Sequence, residues 1–449
     1  MKKVVLYSSN SKLRSVGSNC TVFPKWAAQW DHVAKKHPDL DITLVVQLNG
    51  RYFLDIHDGS PYKLPENITV VQMDMQDKTD EFVDKIVSLE PDAAIAMPGP
   101  VSGFDWNGIR DAVIAQCLRK KGIRTICYSL ETALNTFDKW RMHQVFEQYG
   151  FRSPKAVYVH NEMFFAGKND PFSTGNVYQE MILKQIEMSE MPLIIKSTTG
   201  SSSMGIVVAH TFEQARDFLL SEKNTGDVII EQFLKGEEFG TEIHGSEVSY
   251  HVMPPFRVFS STDNELNDPL GMTTLKYGPI LDERYNIPKL QKELKRLAQV
   301  MGFSGIMQVD LMFAGGEWYI IEINSRWSGM TTLITASQGR LPYEVYIEQE
   351  TGSAADYSDA SNLSCSCQFK MSDADDELLE KIASEDKMVS VISYEVILPD
   401  KPKFRFNDCV ISGFDSFTEM ADYIGSLQKK YPEQISPELQ PALYKQIEG

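Results

Sequence analysis

Residues 319–329 read YIIEINSRWSG. Glu322, Asn324 and Arg326 alternate there with Ile321, Ile323 and Ser325. A strand sends successive side chains to opposite faces. The acid, the amide and the guanidinium therefore share one face, and the two isoleucines take the other. Neighbours on a face sit about 6.5 Å apart. A carboxylate and an amide oxygen at that spacing can converge on one hard cation or on two adjacent ones, while Arg326 reaches an anion beyond them. Oxygen donors of this kind suit Mg2+, with phosphates completing the octahedron.

Working upstream, GIMQVDLMFAGGEWYIIEINSR (305–326) reads as a hairpin around Gly315 and Gly316, with Asp310 as the partner acid. A two-residue Gly-Gly turn would pair Asp310 with Ile321. An odd-length loop, such as 315–317 with a G1 bulge, would set Asp310 opposite Glu322. If the two acids share a metal site, the expectation is an odd loop.

Two further stretches carry chemistry. LIIKSTTGSSSMGIVV (193–208) is two strands around a Gly/Ser/Thr loop. Gly200 and Gly205 let backbone N–H groups turn toward an anion, and Ser201, Ser202 and Ser203 add hydroxyl donors. Lys196 at the loop entrance supplies positive charge for a phosphate. No G-K-[ST] follows, so this is not a Walker A loop. VIIEQFLKGEEFGTEI (228–243) runs an apolar strand into Glu231, with Glu238 beyond it. An adenine amino group and a ribose diol both need acceptors, which spaced carboxylates provide. The backbone of Gln232, Phe233 and Leu234 can read the adenine edge.

The bulk numbers bound the rest. The chain has 449 residues, 42% hydrophobic and 24% charged, as in a globular protein of two or three domains. A net charge of −18, from 62 acidic and 44 basic residues, repels a nucleic-acid backbone. Six scattered cysteines without a CxxC pair, Cys365 and Cys367 among them, read as free thiols in a reducing compartment. The start MKKVVLYSSNSK reads as a buried first strand rather than a signal peptide, and no apolar run nears the ~20 residues of a membrane helix. A cytoplasmic protein is expected.

Residues 1–130 alternate strand-like runs (Val4–Tyr7, Ile42–Gln47, Ala93–Ala96 and 123–129) with helical stretches (Trp26–Lys36 and 108–120), the pattern of a parallel α/β sheet. Polar, Gly/Ser-rich loops follow the strands, where ligands sit in open α/β sheets. The G-x-G-x-x-G fingerprint is absent after the first strand, which argues against a nicotinamide site. Residues 131–350 form a second region, opening on a helix over 136–150 and holding a long polar loop over 260–278. A small-residue linker then leads into an α+β unit over 351–449.

Taken together and in this order, Lys139 in FDKWRM, Lys196 before the glycine-rich loop, EQFLKGEE, and the Asp310…Glu322-x-Asn324-x-Arg326 constellation resemble the ATP-grasp superfamily of carboxylate–amine ligases. The likeness covers roughly 136–333. It implies an α/β and α+β multidomain chain: an N-terminal parallel α/β domain (1–130), an ATP-grasp fold (131–350; lid about 155–235, catalytic part about 236–350) and a small C-terminal α+β domain (351–449). It implies ATP and two Mg2+, with Mn2+ a workable substitute. Lys139 and Lys196 would hold the phosphates. Glu231 and the Gln232–Leu234 backbone would hold adenine, and Glu238 the ribose. Asp310, Glu322 and Asn324 would be the metal ligands, and Arg326 would stabilise an acyl phosphate and the tetrahedral species after it. Asp310 departs from the pattern, which commonly has Glu there.

The layout resembles most the bacterial L-amino acid ligases that make dipeptides. Lys276, Arg257 and His244 are candidates for a further basic contact, Lys276 and His244 being entered as catalytic candidates. Trp327, Ser328 and Met330 follow the catalytic Arg and are candidates for selectivity. The acids Asp373, Asp375 and Asp376 either meet a cationic amino acid such as arginine or form a solvated helix start. Expected partners are amino acid substrates, with a homodimer as the assembly to test, and neither nucleic acid nor membrane. The rival readings are a biotin-carboxylase-like or other biosynthetic ATP-grasp ligase, and a non-enzymatic ATP-binding regulatory module.

Overall fold

The computed structural model describes residues 1–9, 19–47, 55–57, 60–74, 77–99, 107–167, 175–199, 206–260, 273–351, 362–396 and 404–448. Gly200, Ser201, Ser202, Ser203 and Gly205 lie outside the described residues, as do most of the loops after Ser9 and Gly99.

The N-terminal region is a five-stranded sheet in the order Thr69–Met73, Leu40–Gln47, Lys2–Ser8, Ala93–Ala96, Thr125–Ile126. Every pairing in it is parallel. The strands are apolar on both faces because helices cover both sides, and Val4, Val5, Leu6, Val45 and Ile95 are all buried. The last strand is shorter than the apolar run 123–129 suggests. The Arg119 guanidinium donates to the Thr125 and Cys127 carbonyls on the outer edge of this strand.

The expected single helix over 136–150 is two helices. Leu130–Phe137 ends at Asp138, whose side chain accepts from the N–H groups of Trp140 and Arg141 and so caps Lys139–Tyr149. An Asp at that position satisfies two of the unpaired donors at a helix start. The break puts Lys139 in the first turn of its own helix.

The segment expected to form a lid holds a four-stranded antiparallel sheet, Val207–Ala209, Leu193–Ser197, Val228–Gln232, Ala156–Val159. Its apolar side chains, Ile195 and Ile230 among them, pack with Ile182 and Ile186 of the helix Val177–Glu187 and with Leu219 of Phe212–Leu220 in a separate core.

Among the described residues the largest sheet has ten strands and runs through the expected boundary near residue 350. From one edge it passes Glu317–Asn324, Gly305–Ala314, Glu237–Ser246, Phe256–Ser260 and Thr273–Gly278. It continues through Cys365–Met371, Phe404–Phe414, Met388–Val396 and Asn19–Phe23, while Ser249–Val252 pairs beside Glu237–Ser246. The ends of the expected loop 260–278 are strand: Ser260 and Thr273 pair across it. Behind the hairpin lies the helix Ile287–Val300, whose Leu290, Leu294, Leu297 and Ala298 form one buried stripe at helical spacing. Cys117, Cys127, Cys365, Cys367 and Cys409 are free thiols. Among the described residues no helix is long and apolar enough to cross a membrane.

Candidate active site

The hairpin sets Asp310 directly opposite Glu322 and Gln308 opposite Asn324. The acids meet as expected, but the loop is not odd. Ala314 pairs with Glu317 across a two-residue turn, with Gly315 at φ 58° and Gly316 at φ 81°. Two consecutive positive φ values define a type I′ turn, which glycine enters without steric penalty. The extra residue sits inside the strand instead. Leu311 pairs with Ile320 and Asp310 with Glu322, so the register steps over Ile321. A β-bulge re-aims side chains without altering the turn.

On the same face, Gln308 bridges the pairs: Asn324 Nδ2 donates to Gln308 Oε1 at 2.7 Å, and Gln308 Nε2 donates to Asp310 Oδ1. Arg326 Nη2 donates to Asn324 Oδ1 at 3.1 Å, and Nη1 to the Trp327 carbonyl at 3.3 Å. Gln308 was missed from sequence, although it lies two residues before Asp310 and shares its face by strand period. Burial and the facing Glu322 and Glu238 carboxylates push the Asp310 carboxyl up to about 7, against Gln308 and Lys276. Two opposed carboxylates with an amide beside them fit a hard divalent cation that takes its remaining ligands from water and phosphate. Among the described residues no group of three or more His, Cys, Asp or Glu side chains converges in this way.

Cations face this hairpin from two sides. Lys139 Nζ lies 3.2 Å from Glu322 Oε1, with both side chains mostly buried. Lys196, at the end of its lid strand, pairs with Glu231 Oε2, and the two are 6% and 2% exposed. Burial opposes the charge on Lys196, yet the carboxylates of Glu231, Glu322 and Asp310 hold its pKa above the ordinary lysine range. Burial likewise opposes the Glu231 charge, while Lys196 and His143 hold its carboxyl below the usual range. His143 Nε2 lies 2.9 Å from Glu231 Oε1, so both carboxylate oxygens expected to face adenine already have protein partners. The Gln232 N–H donates to Lys155 O and the Phe233 N–H to Pro192 O, and Leu234 follows on the same half-buried turn.

Glu238 reaches solvent while the surrounding protein pushes its carboxyl up, against Lys276, Arg257 and Lys196. Lys276 stands on Thr273–Gly278; burial lowers its pKa, Lys370 adds to that, and Asp408, Asp310 and Glu238 oppose it. Of the two further catalytic candidates, the structure brings Lys276 to the acids. It places His244 elsewhere: the ring is 3% exposed, with Nε2 at 2.7 Å from Glu242 Oε2 and Nδ1 at 3.3 Å from Arg340 Nη2. Burial lowers the His244 pKa. Arg257 Nη1 donates to the Glu238 carbonyl at 2.8 Å and its guanidinium lies over the Phe239 ring.

The selectivity candidates point inward. Trp327 is 3% exposed and packs on Trp26 and Tyr343, with ring centroids 6.3 and 5.2 Å away. The Ser328 and Thr331 hydroxyls both donate to Glu242 Oε1. Met330 lies over Gly240, where a Cβ would fall 2.3 Å from its sulfur. Asp375 caps the helix Asp376–Ala383 by accepting from the Leu378 N–H, and Asp373 and Asp376 are exposed beside it. None of these three acids lines the cleft.

A cleft open to solvent lies beside the hairpin. Lys139, Thr199, Glu322, Asn324 and Arg326 line its polar end. Gly108, Ile109, Tyr128, Ala133 and Phe137 close it from the N-terminal side.

Residues 169–338 match the family model described as D-ala D-ala ligase C-terminus. That match runs from the lid through the bulged hairpin and past Arg326. Over that span the chain is similar to ATP-grasp ligases. A carbamoyl-phosphate synthase of Methanobrevibacter smithii is 23% identical over 285 residues, spanning 63% of this chain and 69% of that one. A D-alanine–D-alanine ligase of Petrotoga mobilis is 23% identical over 220 residues, spanning 48% of this chain and 65% of its own length. The crystal structure of an L-amino acid ligase from Bacillus licheniformis superimposes with a TM-score of 0.63 at 16% identity, covering 97% of this chain and 98% of that one. The likeness therefore extends over the whole chain by fold and over its middle by sequence.

Proposed function

We propose that this chain is an ATP-dependent carboxylate–amine ligase acting through an acyl phosphate, and that its product is a dipeptide. The observation that carries the reading is the bulged hairpin, which sets Asp310 opposite Glu322 and turns Glu322, Asn324 and Arg326 toward a cleft that Lys139 also lines.

The chemistry follows from the residues. A carboxylate resists attack by an amine until one oxygen becomes a leaving group. Transfer of the terminal phosphoryl of ATP to that oxygen makes a mixed anhydride and releases ADP. The amine then attacks the carbonyl carbon, and phosphate leaves. Mg2+ held by Asp310, Glu322 and Asn324 would neutralise charge on the phosphate oxygens. Lys139 and Lys196 orient the triphosphate. Arg326 donates to the acyl phosphate and to the oxyanion of the tetrahedral species. The apolar walls exclude water from the anhydride.

The dipeptide reading is supported by the likeness to an L-amino acid ligase along nearly the whole chain. An arginine substrate loses its support, because the acids that suggested it cap and flank a helix away from the cleft. A second reading takes bicarbonate as the acid, favoured by the carbamoyl-phosphate synthase relative. Purified protein with ATP, Mg2+ and hydroxylamine separates the two. Hydroxamates formed from amino acids support the ligase. ADP release that needs bicarbonate and no amino acid supports the second reading, and ADP release with neither overturns both.

A further inference from the structure

The Lys139–Tyr149 helix carries a second functional side chain that the motif reading did not use. His143 lies one turn beyond Lys139, on the same face of the helix. Lys139 reaches the hairpin through Glu322, whereas His143 reaches the lid through Glu231 Oε1 at 2.9 Å. The same helix is tied to the lid strand by its backbone, since the Lys139 N–H donates to the Thr198 carbonyl at 2.8 Å. The imidazole is 7% exposed and packs edge-on against Phe146, which restricts its orientation.

Glu231 is the centre of this arrangement. Its carboxylate is almost wholly buried between Lys196 and His143. A buried ion pair is tolerated only when the remaining lone pairs of the acid are satisfied. A buried lysine that must also serve a phosphate poses a further demand. As Lys196 turns toward a phosphate, its hold on Glu231 weakens, and an unsupported buried carboxylate would pull it back. A donor that stays on the other oxygen lowers that penalty without abolishing it. Nε2–H of His143 is such a donor, because an ionised carboxylate can only accept.

We propose that His143 is a positioning residue of the nucleotide site. It fixes Glu231 through Oε1, so that Oε2 holds Lys196 at the loop entrance in the resting protein. It stays on Glu231 when Lys196 is shared with a phosphate. The inference rests on the ATP reading above, but its readout is nucleotide affinity rather than ligation.

The test measures MgADP binding by calorimetry on the full chain, with thermal unfolding as the control for folding. His143→Leu fills much of the space and leaves Oε1 without its donor. His143→Asn keeps an amide one methylene too short to reach Glu231, and it serves if the leucine variant does not fold. Both should weaken MgADP binding about tenfold, the range for losing a hydrogen bond to a charged group. His143→Gln places an amide nitrogen near the Nε2 position and should return affinity to within about threefold of wild type. Glu231→Gln should weaken binding less in the His143→Leu background than in wild type, because the two act through one contact. Folded leucine or asparagine variants that bind as wild type does overturn the inference alone. Wild-type protein that binds no MgADP overturns the ATP reading and the inference with it.

Discussion

The two charge clusters of the cleft are built in opposite ways. On the hairpin, Asp310 and Glu322 face each other as like charges across a bulged register, and Asp310 is pushed up to about 7. On the lid, Glu231 lies between two donors and is nearly sealed from solvent. On the proposed reading a cation would relieve the hairpin, whereas the Glu231 cluster is already satisfied by protein donors. Binding MgATP would relieve one cluster and loosen the other. This accounts for Lys139 resting on Glu322: an available lysine screens an acid that a metal would otherwise hold.

Substitutions can break or sharpen this contrast. The largest effect is expected at the end of the hairpin. Arg326→Ala should lower ligation by at least about a thousandfold, the scale of losing a transition-state donor. MgADP affinity should stay close to wild type, and ADP release with amino acids present reads the loss. Turnover near wild type would remove Arg326 from the chemistry.

Lys196→Ala comes next and separates stability from affinity. It strands a buried carboxylate, so unfolding by urea should show a loss of about 3 kcal/mol or more. Nucleotide Kd should rise about a hundredfold, the order expected for losing a buried charge-assisted contact to phosphate. Adding Glu231→Gln should restore most of the stability and none of the affinity. Recovery of both would mean that Lys196 serves the fold rather than the phosphate.

Asp310→Asn should act with the opposite sign on metal-free protein. A carboxyl whose folded pKa lies above its unfolded value, about 4, loses stability as pH rises between the two. Around pH 8, with chelator present, the variant should be more stable than wild type by about 1–2 kcal/mol. The two proteins should converge as the pH falls toward about 4. Equal unfolding midpoints at both ends of that range would show that the opposed acids carry no strain.

The smallest effects are expected far from both clusters. Asp373→Asn and Asp376→Asn should shift stability by no more than about 0.5 kcal/mol. Neither should change the amino acids accepted in a hydroxamate assay.

The comparison also shows what the amino-acid sequence discloses. Strand period alone puts Glu322 and Asn324 on one face, and the same rule applied to the partner strand would have found Gln308. The spacing of Asp310 and Glu322 demands one extra residue, but it does not say where. The turn glycines permit a tight type I′ turn, so the surplus falls at Ile321 inside the strand. His143 was open to the helical counterpart of that rule, one turn after Lys139. The pairing of Thr273–Gly278 with Cys365–Met371, which carries the hairpin's sheet into the C-terminal region, was not legible. It joins segments about ninety residues apart, and local pattern holds no record of which strands become neighbours. The inward turn of Trp327 was hidden for the same reason, since its partner Trp26 comes from a distant part of the chain.

Crystals grown with Mn2+ and a non-hydrolysable ATP analogue give the most direct measurement. Anomalous scattering should place manganese within about 2.2 Å of oxygens from Asp310, Glu322 and Asn324, with Lys139 moved from Glu322 to phosphate. A bound nucleotide with no anomalous peak at the hairpin, and Lys139 still on Glu322, would contradict the account.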